Sequence, residues 1–540
     1  MKVVSVSQMR KLDERTIQEA EVPGNLLMEK AGFGAGKKIL DYLTNIDFSH
    51  IKRLILLAGK GNNGGDIYVI AKFIYDALQA NYFSEMYSKN LPHKLYNNYI
   101  PVYDSSIDIL IYSICPVTEL KGDAKYHAEL LPKEVSVNVK AVLDTEDFCK
   151  GDIIIDGLLG TGFNGSLRKF YGNWISTVNC VNLPTIAIDI PSGLNGDTGI
   201  VSENAIKSDL TITIAQPKTG LLIGQGPEYC GLLKVMDIGV PKQYVDEIYS
   251  ELSLFTEADA YPMISRLPID CHKKTLGSVL VIGGSSLYPG APFLAAKAAL
   301  RSGAGLVTVA VPESSGIINN GVLSIITRKI PDSGTGFFTE KSIAELKTLA
   351  ELASSIIIGP GMSDHESCIG IITEILTLDK TIIFDADALN IIAKYPEIFN
   401  PNPKYIFTPH PGEAKRLFKW FGLNTIVKED RILQVKSLAD KLGGTVVLKG
   451  NRTIIGSYTG RLSINGSGCQ ALATAGSGDV LTGIIGANSV GGVNLFDKVC
   501  LSVFVHGLAA EIGNKGMRGL IADDLVEMIP LVLKQLSPFA

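Results

Sequence analysis

Residues Arg53-Leu-Ile-Leu-Leu-Ala-Gly-Lys-Gly-Asn-Asn-Gly-Gly-Asp66 pass from an unbroken apolar run into a turn of glycines and amides. An apolar run, a glycine or polar turn and then an amphipathic helix form the repeating unit of a parallel α/β layer. The same order recurs on both sides of residue 250. In the amino-terminal half the expected strands are Arg53 to Ala58, Asp152 to Asp156, Thr185 to Ile190 and Leu210 to Ala215. In the carboxy-terminal half they are Ser278 to Ile282, Leu306 to Val311, Ser355 to Ile358, Thr381 to Phe384, Tyr405 to Thr408 and Thr445 to Leu448. Pro241 to Met263 lacks strand character and carries several acids, so the boundary is expected near 250. Tyr82 to Lys140 is the least readable stretch and is expected to include surface insertions.

The chain has 540 residues, enough for two domains, with 50 Lys+Arg against 55 Asp+Glu and a net charge of −5. With only 19% charged residues and a mild acidic balance, it has no general attraction for nucleic acid or an anionic membrane. Apolar runs are short, as in Leu54 to Leu57 and Ile153 to Ile155, far below the ~18 residues a membrane-spanning helix needs. Met1 to Arg15 carries charges throughout and no apolar core, so no export signal and a cytoplasmic location are expected. The eight cysteines never approach Cys-x-x-Cys spacing and read as free buried thiols. The seven histidines are scattered, which disfavours a zinc or iron centre. Chemistry is left to carboxylates, amides and the 55 glycines.

Ligands bind outside the carboxyl ends of parallel strands, where loops converge and helix amino termini offer unpaired N–H groups. Three segments bring chemistry to such ends: Gly59 to Asp66, Asp156-Gly-Leu-Leu-Gly-Thr-Gly162, and Asp189-Ile-Pro-Ser-Gly193. A single aspartate at a strand end is more often a helix cap or turn former, and a lone glycine loop is often a plain tight turn. Three such loops together weigh against that bland reading. Asn-Asn-Gly-Gly-Asp, Asp-x-x-x-Gly-Thr-Gly and Asp-Ile-Pro-Ser-Gly, in this order, resemble the NAD(P)H-hydrate epimerase family over roughly residues 1 to 240. The resemblance implies a Rossmann-like domain that binds hydrated NADH or NADPH and holds potassium through Asn63, Asp156 and Ser192. Its implied substrate contacts are Asn62, Asn63, Gly64, Gly65 and Asp66, then Gly160, Thr161, Gly162, Phe163, Asn164, Gly165 and Ser166, and Asp189. Asp189 is the expected acid/base, because inverting the hydroxyl-bearing carbon requires proton movement. Ile67 departs from the family, which usually continues there with glycine.

In the second half the strongest signal is Ala475-Gly-Ser-Gly-Asp479, opening the apolar helix that begins at Val480. Its N–H groups and dipole can stabilise a transferring phosphoryl group, while Asp479 can take the proton of an attacking hydroxyl; the bland alternative is a helix cap. Asp385 and Asp387 could hold magnesium through water or simply start a helix, and His410 stands before the Pro-Gly-Glu turn. Tyr288-Pro-Gly-Ala-Pro, Gly-Pro-Gly, Asp-Ala-Asp-Ala-Leu-Asn, Thr-Pro-His-Pro-Gly-Glu and Ala-Gly-Ser-Gly-Asp resemble the dehydratase branch of the ribokinase-like superfamily over about 262 to 540. The resemblance implies that a nucleotide, ADP in microbial members, phosphorylates the hydrate before phosphate is eliminated, with magnesium alongside. Implied hydrate contacts are Ala291, Gly361, His410 and Asp479, and implied nucleotide contacts are Lys449, Gly450, Asn451, Arg452, Thr453 and Gly478.

The expected architecture is therefore α/β, with a Rossmann-like α/β/α domain over 1–245, a linker over 246–261 and a ribokinase-like α/β/α domain over 262–540. The expected activity is repair of hydrated NADH and NADPH by a homo-oligomer whose partners are small molecules. The alternative is a vitamin-precursor kinase fused to a noncatalytic ligand-binding or interaction domain.

Overall fold

A computed structural model describes residues 1–43, 51–79, 107–163, 165–316, 322–422, 430–491, 494–513 and 518–537. The chain forms two compact units that divide between Ser250 and Glu251. The amino-terminal unit holds β1 (Arg53–Ala58), β2 (Asp108–Ser113), β3 (Ser136–Val139), β4 (Asp152–Gly157), β5 (Thr185–Ile188), β6 (Leu210–Ile214) and β7 (Leu232–Met236). They form one parallel sheet in the order β3-β2-β1-β4-β5-β6-β7. Both faces are covered, which is why β1 is apolar without alternation: Leu54, Leu56 and Ala58 join the core on one face, and Ile55 and Leu57 the core on the other. Strand order reverses between β1 and β4, so their carboxyl ends flank the crevice where such sheets bind ligands.

The carboxy-terminal unit holds β8 (Leu252–Phe255), β9 (Ser278–Ile282), β10 (Leu306–Pro312), β11 (Ile326–Ile330), β12 (Ser355–Ile358), β13 (Thr381–Phe384), β14 (Tyr405–Phe407), β15 (Thr445–Leu448), β16 (Ile454–Ser457) and β17 (Leu462–Asn465). Their order is β11-β10-β9-β12-β13-β14-β15-β16-β17-β8, parallel except for the antiparallel β15-β16 and β16-β17 pairs. The reversal lies between β9 and β12. The helix Ser477–Asn488 packs against Ala291–Arg301, and Gly483 permits the approach, because a Cβ there would strike the Ala295 carbonyl. That contact seats the turn carrying Asp479.

The ten expected strands are present, with corrections at their ends, while β2, β3, β7, β8, β11, β16 and β17 were not expected. Thr185–Ile188 stops before Asp189 and Leu210–Ile214 before Ala215, because both following residues turn to positive φ, 64° and 61°. The expected linker 246–261 is not one: Leu252–Phe255 pairs with β17 as an edge strand and Glu257–Ala260 is helical. Within the unreadable stretch, β2 and β3 extend the first sheet, whereas residues 82–106 lie outside those described. The cysteines form no disulfide, but Cys149 and Cys180 are exposed and Cys271 and Cys469 half-buried rather than buried. Ile67 is buried over Gly157, where a Cβ would collide with its side chain.

Candidate functional site

In the amino-terminal unit, the loops after β1, β4 and β5 border a cavity of about 620 Å³. Of the expected residues, Asn62, Asn63, Asp66, Gly160, Thr161, Gly162, Phe163 and Asp189 line it. Gly64 and Gly65 do not. They are buried in the first turn of helix Asn62–Gln79, where added Cβ atoms would run into the Gly59 carbonyl and, at 2.7 Å, Met28. Gly165 and Ser166 are exposed beyond the lining, and Asn164 lies outside the described residues.

Asn63, Asp156 and Ser192 form an oxygen-rich cluster. Ser192 Oγ donates to Asp156 Oδ1 at 2.7 Å, and the Ser192 N–H donates to Oδ2 at 2.8 Å. Burial without a cationic side chain to offset it pushes the Asp156 carboxyl up to about 6. Asn63 Nδ2 donates to the Leu159 carbonyl at 2.9 Å, while Asn63 Oδ1 is buried with no partner among the described residues. A partnerless amide oxygen, an uncompensated carboxylate and a hydroxyl fit a hard cation held by oxygens, as potassium would be.

Asp189 follows β5 in a left-handed conformation that costs a non-glycine residue about 1–2 kcal/mol. Its Oδ1 accepts from Lys218 Nζ at 2.5 Å and from the Ile214 N–H at 3.2 Å. Asp13 and Asp66 share the cavity. Burial pushes Asp13 up to about 6 and Asp66 well above the usual carboxylate range, with neighbouring carboxylates adding to both. Lys218 and Asp13 were not legible as site residues. Lys218 follows an apolar strand, Leu210–Ile214, a position that could have drawn notice, but an aspartate in helix Val6–Gln18 reads as a solvated face.

In the carboxy-terminal unit, Asp479 sits in the first turn of helix Ser477–Asn488, after Gly476 at φ 83°. Burial pushes its carboxyl up to about 7, with Asp385 adding to the rise and Lys449 opposing it. Asp385 is buried and fully engaged: Oδ1 accepts from Thr408 Oγ1 at 2.7 Å and Lys449 Nζ at 2.9 Å, and Oδ2 from Thr482 Oγ1 at 2.7 Å. Against its burial, Lys449 and the two hydroxyls hold this carboxyl below its usual range. Of the paired acids considered for magnesium, Asp385 is thus committed to Lys449. Asp387 is half-buried, accepts the Ser363 N–H at 2.8 Å, and is the one of the two that could meet a hydrated magnesium ion.

Lys449 also approaches Glu413 Oε2 at 3.9 Å, and burial pushes Glu413 up to about 7. Lys449 Nζ lies 3.5 Å from where a Cβ on Gly478 would stand, which joins the 449–453 turn to the glycine turn. Gly450 and Arg452 both adopt positive φ, Arg452 Nη1 donates to the Gly466 carbonyl, and Thr453 Oγ1 donates to the Gly450 carbonyl. Arg431 donates to the Asn451 carbonyl at 2.5 Å. His410 caps helix Pro411–Trp420; its N–H donates to Glu413 Oε2 and its Nδ1 accepts from Gly412. Gly361 faces Tyr288 and Ala291, and a Cβ on it would stand 3.3 Å from that of Ala291, so two further expected hydrate contacts are neighbours. Sequence reasoning missed His506, a buried histidine whose Nε2 meets the Ser477 carbonyl at 2.9 Å and whose burial lowers it to about 4, so the neutral ring donates and pins the turn.

A family profile described as NAD(P)H-hydrate dehydratase matches residues 279–531, and one described as YjeF-related protein N-terminus matches 102–220. The bifunctional NAD(P)H-hydrate repair enzyme Nnr of Moorella thermoacetica is 31% identical over 550 aligned residues, covering 99% of this chain and 97% of that protein. The enzyme of the same name from Coxiella burnetii is 32% identical, covering 96% of each. Among solved structures, the ADP/ATP-dependent NAD(P)H-hydrate dehydratase of Bacillus subtilis, co-crystallised with ATP/Mg2+, is 30% identical and covers 53% of this chain and 98% of that one, with a TM-score of 0.44.

Proposed function

The chain belongs to the bifunctional NAD(P)H-hydrate repair enzymes, with an epimerase unit followed by a dehydratase unit, and from that premise we propose how its residues divide the work. In the first unit Asp189 moves the proton that inversion of the hydroxyl-bearing carbon of the hydrate requires. Asn62, Asn63, Asp66, Gly160 to Phe163 and Asp189 hold the substrate. Asn63, Asp156 and Ser192 bind potassium, which supplies the positive charge that the buried Asp156 carboxylate lacks.

In the second unit the hydrate's hydroxyl attacks the terminal phosphoryl group of ADP, yielding AMP and a phosphate ester. Asp479 accepts the hydroxyl proton, and the N–H groups of the Gly476 turn stabilise the transferring group. The ester then loses phosphate with a proton from the neighbouring carbon, which restores the ring. Phosphate leaves far more readily than hydroxide. Gly361, Ala291 and His410 hold the hydrate; Lys449 to Thr453 and Gly478 hold the nucleotide; magnesium supports the phosphates. The proposed setting is a cytoplasmic homo-oligomer with small-molecule partners and neither nucleic-acid nor membrane partners. Among the described residues no helix is long and apolar enough to cross a membrane.

The observation that carries this reading is an acid at about 7 in the first turn of a glycine-led helix, beside a lysine that serves another carboxylate. The test is to incubate S hydrate with ADP, ATP or no nucleotide while following NADH and orthophosphate. Equal release of both with ADP, faster than with ATP, is expected. A stable phosphorylated product without orthophosphate would instead identify a kinase.

A further inference from the structure

The amino-terminal cavity carries charges that Asp189 alone does not use. Helix Val6–Gln18 contributes Arg10, Asp13 and Glu14, helix Asn62–Gln79 contributes Asp66, helix Gly122–Glu129 contributes Asp123, and the segment after β6 contributes Lys218. Lys218 is 1% exposed. Its ammonium donates to Asp189 Oδ1 at 2.5 Å, the Ile214 carbonyl at 2.7 Å and Thr213 Oγ1 at 3.3 Å. Asp189 is thus the carboxylate that Lys218 bonds, and two neutral oxygens from β6 fix the lysine in place. Asp13 lines the same cavity with no bonded cation among the described residues, and its burial favours the neutral acid.

We propose that Lys218 is a positioning residue for the epimerase: by bonding Asp189 it makes that carboxylate the base of the cavity and leaves Asp13 as the acid. The inference rests on the assignment of Asp189 above. Water added across an enamine double bond leaves its hydroxyl on the carbon beside the ring nitrogen. Asp13 gives its proton to the departing hydroxyl, the C–O bond pair leaves with the oxygen as water, and the nitrogen lone pair forms a C=N bond. Water adds to the opposite face, and its surplus proton passes to Asp189. One proton has moved from Asp13 to Asp189, one water has left and one has entered, and nothing is oxidised. Acids around the ring suit the positive charge that the nitrogen carries between the two halves.

The test is interconversion of R and S hydrates by the full chain without nucleotide, measured across pH. Lys218→Met is expected to lower kcat at least tenfold with KM little changed, because Asp189 loses the donor that orients it. Lys218→Arg, which keeps a donor to Asp189, restores kcat toward that of the unaltered chain, and Asp13→Asn removes the alkaline limb of the profile. Thr213→Val, which deletes one partner of the ammonium, lowers kcat in the same way by less and serves where Lys218→Met does not fold. An unchanged kcat in folded Lys218→Met or Thr213→Val, no rescue by Lys218→Arg, or an unmoved alkaline limb in Asp13→Asn, overturns the inference. Failure of the unaltered chain to interconvert the hydrates at any pH would instead remove the epimerase assignment of Asp189.

Discussion

In the amino-terminal unit the buried ammonium of Lys218 is bonded to Asp189, the acid proposed to move protons. In the carboxy-terminal unit the ammonium of Lys449 is bonded to Asp385, and the acid proposed to move protons, Asp479, has no bonded cation among the described residues. A base that takes the proton of an adding water benefits from a fixed partner that orients it. A base that receives a hydroxyl proton during phosphoryl transfer works best when its pKa lies near the working pH, and burial beside Asp385 brings Asp479 there. The location of each lysine, rather than the presence of an aspartate, separates the two uses.

The largest effect that would break this comparison is expected from Asp479→Asn. NADH formation from S hydrate and ADP should fall about 10²- to 10⁴-fold, the usual contribution of a general base, while R and S hydrates still interconvert. Equal loss of both activities would deny that the units act separately. Next is Lys449→Met, which leaves the buried Asp385 without its cation. Removing one partner of a buried pair costs about 3–5 kcal/mol, so thermal unfolding of the carboxy-terminal unit should move down clearly. Activity should fall too, because Asp479 loses the charge that restrains its pKa.

The pH dependence sharpens the contrast. Asp479 acts as a base only when ionised and its pKa is about 7, so kcat for dehydration should rise with pH through that value and drop about tenfold per unit below it. A profile flat from pH ~5 to ~8 would contradict the role. The smallest effect concerns Asp156, whose folded pKa of about 6 exceeds the unfolded value near ~3.9. The folded state therefore binds more protons, and without a cation the contribution of this group to stability declines as pH rises from about 4 through about 6. Potassium replaces the proton, so it should stabilise the amino-terminal unit more at pH ~8 than at pH ~5, by about 1.4 kcal/mol at ten times its dissociation constant. Thermal unfolding in potassium and choline chlorides would measure this; equal midpoints at pH ~8 would remove the ion from the Asn63, Asp156 and Ser192 cluster.

Many interior strands were legible because both faces are covered: Arg53–Ala58, Ser278–Ile282, Ser355–Ile358, Thr381–Phe384 and Thr445–Leu448 agree with their apolar runs residue for residue, whereas the interior strands Asp108–Ser113, Ile454–Ser457 and Leu462–Asn465 were not read. Edge strands were not. Ser136–Val139, Leu252–Phe255 and Ile326–Ile330 lie at sheet edges, where solvent tolerates Asn, Ser, Arg and Lys and the strands are short. Strand-end carboxylates and glycine turns were legible as site residues because their chemistry is local. Lys218, Asp13 and His506 were hidden because each matters through a neighbour distant in sequence: Lys218 through Asp189, Asp13 through their shared cavity, and His506 through the Ser477 carbonyl. Gly64 and Gly65 were read as substrate contacts but serve the packing of a helix, a distinction that a glycine-rich string cannot make.

The most direct measurement is NADH recovery from a mixture of R and S hydrates with ADP, comparing the unaltered chain with Asp189→Asn and Asp479→Asn. Complete recovery by the unaltered chain, early recovery of only the S fraction by Asp189→Asn, and none by Asp479→Asn are the results expected of two sites acting in sequence on one damaged cofactor. Complete early recovery by Asp189→Asn, or undiminished recovery by Asp479→Asn, would contradict the account.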